Sequence, residues 1–226
     1  MLSNFGMRLM VVIISGCSVS AYAQASDPWE SVNRMTFAFN EALDQYTLKP
    51  LANCYAEVTP VVVQTGIHNF FQNVGEVTNL ANDTLQTKGQ SAGVDLARFM
   101  LNSTFGVAGL VDVATKMGLK RNDEDFGLTL GRWGINSGPY IILPLLGPST
   151  VRDAVGAMVD DYTGPYPYFQ NIRIRNSLHG VDLVDARANL LTKEKLIQGD
   201  RYIFIRNAYL DQRDFQSDDK ELQDDF

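Results

Sequence analysis

Between Asp27 and Tyr46 the apolar side chains Trp29, Val32, Met35, Phe39, Leu43 and Tyr46 fall at steps of three or four residues, the period of one helix face. Phe37 lies beside that stripe and widens it beyond an ordinary core face. The period returns in Val63, Ile67, Phe70, Phe71 and Val74 after Pro60, in Leu96, Phe99 and Met100 within Ser91 to Phe105, and in Val151, Val155, Met158 and Val159. The stretches "NSLHGVDLVDARANLLTKEKLI" and "DRYIFIRNAYL" read the same way, and strand-like alternation is scarce. The pattern predicts an all-α fold. Helices with wide, aromatic-rich faces have two destinations, a shared core or a membrane interface with the apolar side among lipid tails.

Local signals suggest the element ends. Asp27, Pro28 and Glu30 have the order of a capping box, Lys49-Pro50 ends the first helix, and Gly75 stops the helix begun near Pro60. Thr150 and Asp153 form a second capping box. Gly-rich and Pro-rich loops are expected from Gly118 to Ser149 and around "YTGPYPYFQN". Asp211 to Phe226 carries seven acidic and two basic side chains and reads as a solvated, flexible tail.

The segment "GPYIILPLLGPS", Gly138 to Ser149, is too short to cross a bilayer, which takes about 20 apolar residues in a helix. Pro144 sits inside its apolar run and opposes a helix there. It suits either a kinked connection in a helical core or a hairpin at membrane depth. Irregular backbone at that depth must be surrounded by protein or border a wet cavity.

Composition removes other classes. A net charge of -7 with no basic cluster argues against nucleic acid. Arg8, the apolar run "LMVVII" and the following "ISGCSVSAYAQA" make an export signal. "ISGC" has the order of a bacterial lipobox that would leave Cys17 lipidated, while "AYA" at Ala21 to Ala23 would serve ordinary cleavage. Either route removes Cys17 from thiol chemistry, so the mature chain, left with Cys54, holds no internal disulfide. Cys54 is expected to be a small buried residue. With His68 and His179 far apart, a zinc site is not expected, and no cofactor is implied. There is no G-x-S-x-G elbow, Walker loop, H-E-x-x-H or G-x-G-x-x-G. Asp123, Glu124 and Asp125 read as a solvated acidic loop, and the "DFG" within it as chance.

The blocks "DPWESVNRMTFAFNEALDQY", "GIHNFFQN", "RFMLNSTFGVAGLVDVA", "EDFGLTLGRWG" and "GPYIILPLLGPSTVRDAVG" together resemble the MlaA (VacJ) family of outer-membrane lipoproteins. The likeness runs in order from Asp27 to about Asp161 and continues more weakly through "RYIFIRNAYLDQRDF". It implies a ring-like bundle of amphipathic helices in the periplasmic leaflet of the outer membrane, around a central polar channel. It also implies a transport component without covalent chemistry. Such a protein removes misplaced phospholipids from the outer leaflet, passes them to the soluble carrier MlaC and associates with a trimeric porin. Scaffolding of the envelope without lipid transfer, and a secreted hydrolase, are the other readings.

Carried onto this chain, the resemblance assigns residues 1–16 to a lipoprotein signal peptide, 17–26 to a short linker, 27–210 to the membrane-embedded domain and 211–226 to the acidic tail. It makes Gly134 to Val155 a hairpin beside the channel. Gly134 and Gly138 would supply mobile backbone, Pro139 and Pro144 would fix the bends, and Gly147 would belong to the same hairpin. Tyr140, Ile141, Ile142, Leu143, Leu145 and Leu146 would meet acyl chains. Asn33, Arg34, Phe37, Phe39 and Asn40 would form part of the ring. Replacing Cys17 with Ala is expected to abolish acylation, read as loss of the lipid mass on the mature N-terminus; continued acylation would contradict the lipobox reading.

Overall fold

The computed structural model describes residues 27–217. The proposed signal, the lipidated Cys17, the linker and residues 218–226 lie outside them. Helix α1 (Glu30–Leu43) runs through a π-helical turn (Asp44–Leu48) into α2 (Lys49–Val58), followed by α3 (Val61–Leu85), α4 (Gly89–Thr104) and the short α5 (Val113–Lys116) and α6 (Phe126–Arg132). A hairpin of β1 (Tyr140–Leu143) and β2 (Gly147–Thr150) leads directly into α7 (Val151–Thr163), and α8 (Ile172–Leu190) and α9 (Arg201–Ser217) complete the bundle. The principal packed pairs are α3 on α4, α6 on α7 and α2 on α8. The expected helical class holds, with one small antiparallel sheet inside it.

Several predicted boundaries move, each for a local reason. Pro50 has no N–H to return to the preceding turn, yet the helix does not end there. Lys49 N instead bonds Asp44 O, five residues back, and this widened turn accommodates the proline. Gly75 does not stop α3, because tertiary contacts on both sides of the helix outweigh its weak propensity. Asp27 does not cap α1; Trp29 is the N-cap and has no side-chain cap bond. The predicted tail is helical as far as Ser217, where α9 buries Arg213 against the bundle. The span predicted as loop, Gly118 to Ser149, contains α6 and the hairpin.

Burial runs against the pattern of a water-soluble bundle. The buried side chains of α3 are Asn73, Glu76, Asn79, Asn82 and Asp83, and those of α4 are Asp95, Arg98 and Asn102. On the outside stand Met35 at 75% exposure, Tyr46 at 79%, Val62 at 83% and Phe105 at 74%. In α7 the same inversion places Val151, Val155 and Met158 outward and Arg152 and Asp153 inward. The buried apolar cluster is small, Tyr140, Ile142 and Tyr202, with Phe37, Tyr209 and Leu210 packed against it. Cys54 is exposed, not buried.

Glycine sets the closest helix approach. A Cβ at Gly156 of α7 would lie 2.3 Å from Gly127 N in α6, nearer than any real Cβ contact. Gly156→Ala is therefore expected to destabilise the fold by about 1–3 kcal/mol, measured as a lowered unfolding midpoint in detergent; an unchanged midpoint would contradict the tight crossing.

Candidate functional site: a hairpin clasped over a polar interior

The hairpin is held by backbone recognition. Asn33 and Asn40 lie two turns apart on one face of α1. Asn33 Nδ2 donates to Tyr140 O at 3.0 Å and its Oδ1 accepts from Ile142 N at 2.9 Å. Asn40 repeats the arrangement one step along, donating to Leu143 O at 2.9 Å and accepting from Leu145 N at 2.9 Å. Asn33 thus completes the free edge of β1, and Asn40 ties the end of the strand to the turn beyond it. That bonding satisfies an edge which would otherwise be open.

Asp27 fixes the base of this clasp. Its carboxylate accepts from Asn33 Nδ2 at 2.8 Å and from the Tyr202 hydroxyl, and lies 3.4 Å from Arg206 Nη1. Arg34 pairs with Glu30 at 2.7 Å and Asp200 at 2.9 Å, and stacks over the Tyr202 ring at 4.4 Å. Phe37 meets the same ring edge-on. Of the residues assigned to the ring, four therefore join α1 to the hairpin and α9. Phe39 stands apart, facing outward.

The hairpin is two-faced. Tyr140 and Ile142, expected against acyl chains, are buried in the protein against Tyr202; alternation along β1 turns them inward. Ile141 and Leu143 are half-buried. Leu145 and Leu146 at the tip are 68% and 77% exposed. Leu145 is in the left-handed region at φ 69°, a conformation costly for a branched side chain, and the Asn40 bond to its N–H helps hold it there. Pro144 precedes it in the tip, and Pro139 O accepts from Val151 N at 3.2 Å at the stem.

The glycines do different jobs. Gly134 closes α6: Gly134 N bonds Gly131 O and Ile135 N bonds Leu130 O, the paired bonds of a Schellman stop. Its φ of 90° serves that stop, which makes it less of a free hinge than expected. Gly138 and Gly147 also have positive φ, 70° and 89°, and bracket the sheet.

Beneath the hairpin stem lies a polar cavity of about 430 Å³, whose lining includes Lys88, Arg132, Asn136, Ser137, Arg152 and Arg213. A second, of about 390 Å³, has Asp125, Asp153, Asp160, Asp161, Asp182 and His179 in its lining beside the apolar Phe71, Val74 and Pro165. The acidic loop is not simply solvated. Glu124 pairs with Lys88 at 2.9 Å, Asp123 with Arg121 at 2.8 Å, and Asp125 caps α6 through Leu128 N and grips Arg213. "DFG" is accounted for as well, since a Cβ at Gly127 would collide with Asp153 Oδ1 at 2.6 Å. Among the described residues no group of His, Cys, Asp and Glu is placed to hold a metal.

Between α3 and α4 the interior is ionic. Arg98 Nε bonds Glu76 at 2.8 Å, and its remaining donors reach Thr115 at 2.9 Å, Leu119 O at 2.5 Å and Asp112 at 3.4 Å. Asp83 and Asp95, both fully buried, sit carboxyl against carboxyl near Glu76. Burial first, then Asp83 and Glu76, push the Asp95 carboxyl well above its ordinary range, with Arg121 opposing. The folded chain thus keeps a proton that the unfolded chain gives up near pH 3.8.

These interior groups were not singled out by the sequence pattern, where a polar stripe at helical spacing reads by default as a solvated face. The spacing of Asn73, Glu76, Asn79, Asp83 and Gln86 was the available signal.

Residues 25–216 match the family described as MlaA lipoprotein. The chain belongs to the MlaA lipoprotein family. The intermembrane phospholipid transport system lipoprotein MlaA of Escherichia coli K12 is 34% identical over 227 residues, spanning 96% of this chain and 89% of that protein. The protein of the same name in Haemophilus influenzae is 31% identical over 225 residues, 95% and 90% of the two chains. A solved structure reported as "Structural basis for maintenance of bacterial outer membrane lipid asymmetry" superposes with a TM-score of 0.74 at 34% identity, covering 85% of this chain and 99% of that one. The inverted burial of this MlaA family member is thus seen in a chain whose family is a lipoprotein family.

Asn40→Ala removes two bonds to the hairpin and is expected to cost about 1–3 kcal/mol, with faster hydrogen exchange at the Leu145 amide; unchanged exchange would contradict the clasp. Because Asp95 keeps its proton in the folded state above pH 3.8, its contribution to stability is expected to fall as pH rises from there, against the opposite contributions of Asp112, Asp153 and Glu194, whose carboxyls the fold holds low. Asp95→Asn should flatten that slope in pH-dependent unfolding; an unaltered slope would assign it elsewhere.

Proposed function

We propose that this chain moves phospholipid within the bacterial envelope, taking misplaced molecules from the outer leaflet of the outer membrane and so maintaining lipid asymmetry. The observation that carries the reading is the inverted burial: apolar side chains outward on most helices, amides and ion pairs inward. An outward surface of that kind suits hydrocarbon, and large apolar exposure in a water-borne monomer is rare. Among the described residues no helix is long and apolar enough to cross a membrane. The outward apolar faces suit a bundle set in the periplasmic leaflet, and the lipobox sequence suits a tether through a lipidated Cys17.

A phospholipid has a charged head and two apolar tails, so its passage needs a polar path beside an apolar one. The cavity beneath the hairpin supplies the first, and the outward Leu145 and Leu146 border the second. Scaffolding alone requires neither. The released lipid goes to a periplasmic carrier, MlaC, and a trimeric porin holds the protein in place. No nucleotide-binding loop is present in the sequence, so net direction comes from differences in affinity along the relay.

Gly138 is the point at which mobility and fold separate. A Cβ there would stand 3.4 Å from Val151 Cβ, ordinary contact, so Gly138→Ala adds mainly the strain of positive φ, about 1–2 kcal/mol. The variant is expected to fold, yet to leave phospholipid in the outer leaflet, as deletion of the whole gene is expected to do. Normal asymmetry in the deletion strain would defeat the transport reading; normal asymmetry in Gly138→Ala alone would defeat only the hinge.

A further inference from the structure

The linings of the two cavities meet at one ion-paired layer. Arg213 and Arg152 line the cavity under the hairpin, while Asp125 and Asp153, which hold Arg213, line the acidic cavity on the other side. Arg213 Nη1 reaches Asp125 Oδ2 at 2.6 Å and Nη2 reaches Asp125 Oδ1 at 3.1 Å, a two-pronged fork. Its other edge meets Asp153, Nε to Oδ2 at 3.0 Å and Nη2 to Oδ1 at 2.8 Å. Gly127 leaves the space that this layer fills, since a Cβ there would meet Asp153, Arg213 and Asp125 together.

The two carboxylates are not equivalent. Asp153 is buried and also accepts from the Tyr209 hydroxyl at 2.8 Å and pairs with Arg152 at 3.0 Å. Burial opposes its charge, but the Arg213 bonds outweigh that and hold its carboxyl at about 2. Asp125 has a side chain 42% exposed, beside an Arg213 side chain only 10% exposed. A phosphodiester offers two non-bridging oxygens in the geometry of a carboxylate, the arrangement a guanidinium fork binds best. Asp125 occupies that fork from the wet side of a loop, whereas Asp153 is fixed from within α7.

We propose that Arg213 is a phosphate receptor and a latch: a phospholipid phosphate entering the cavity beneath the hairpin takes the Arg213 fork from Asp125, and that exchange opens the wall between the two cavities. The proposal rests on the transport reading and adds to it the group that recognises the headgroup. Lys88, Arg132 and Arg152 also line the entry side, Lys88 paired with Glu124 and Arg152 with Asp153, and Asp214 lines it as well. Beyond the wall the lining is acidic. Its aspartates oppose passage of a phosphate beyond Arg213, which favours release over trapping.

The test is calorimetric titration of the full mature protein in detergent with three probes: dihexanoyl phosphatidylglycerol, dihexanoylglycerol and inorganic phosphate. Two variants are compared with the wild type. Arg213→Lys keeps the charge and loses the fork. Asp125→Asn removes the competing charge while retaining a residue that caps α6 well. The wild type is expected to prefer the phosphatidylglycerol over dihexanoylglycerol by about tenfold or more, and Arg213→Lys to lose that preference. Asp125→Asn is expected to tighten binding several-fold, a sign that no purely structural ion pair gives, because loss of a structural contact weakens the site. If Arg213→Lys does not fold, the sign of the Asp125→Asn effect decides. Weaker or unchanged binding in Asp125→Asn overturns the latch, and equal affinity for dihexanoylglycerol overturns the receptor. Inorganic phosphate binding as tightly as the lipid probe overturns the headgroup assignment. None of these results touches the transport reading, which stands or falls on the asymmetry of the deletion strain.

Discussion

Cohesion in this molecule depends on polar bonds made inside it. In the membrane placement proposed above, helices among lipid tails gain little from burying apolar faces against each other, because the tails are as apolar as the side chains. What remains is hydrogen bonding and ion pairing in an interior away from water, where each such bond is strong and each missing partner is costly. Arg98 shows the requirement met, with its donors directed at Glu76, Thr115, Leu119 O and Asp112. Removing one member of such a set strands the others, which is why the elements hold together as a unit despite so small an apolar cluster.

The fold follows from that constraint. α3 and α4 pack through their polar faces, and α6 and α7 approach closely through Gly127 and Gly156. The approach brings Asp125 and Asp153 to Arg213 on α9, so the last helix is tied to the middle of the chain by charge. α1 does the corresponding work at the other end, joining β1 by amides and α9 by Arg34, Phe37 and the Asp27 carboxylate.

Helical periodicity was readable along the chain because amphipathic spacing is the same whichever side meets solvent. The direction of the faces was not. A stripe such as Val151, Val155 and Met158 carries no mark of whether it points to a core or to hydrocarbon, and only the positions of Arg152 and Asp153 resolve it. Arg213 was hidden for a different reason, lying in a stretch whose acidic composition reads as tail. Its role depends on carboxylates far away in sequence. The hairpin was foreseen through Gly, Pro and family resemblance, but its ladder was obscured by the short strands and by Pro148 within β2. The inward turn of Tyr140 and Ile142 follows from pairing that composition does not show.

The grip of Asn33 and Asn40 falls on peptide groups alone. Such a grip is indifferent to what the strand carries, so Leu146 can be exchanged without loosening the hairpin, whereas the positive φ of Leu145 limits what can replace it. The tip of the hairpin can thereby change its chemistry while the two asparagines stay as they are.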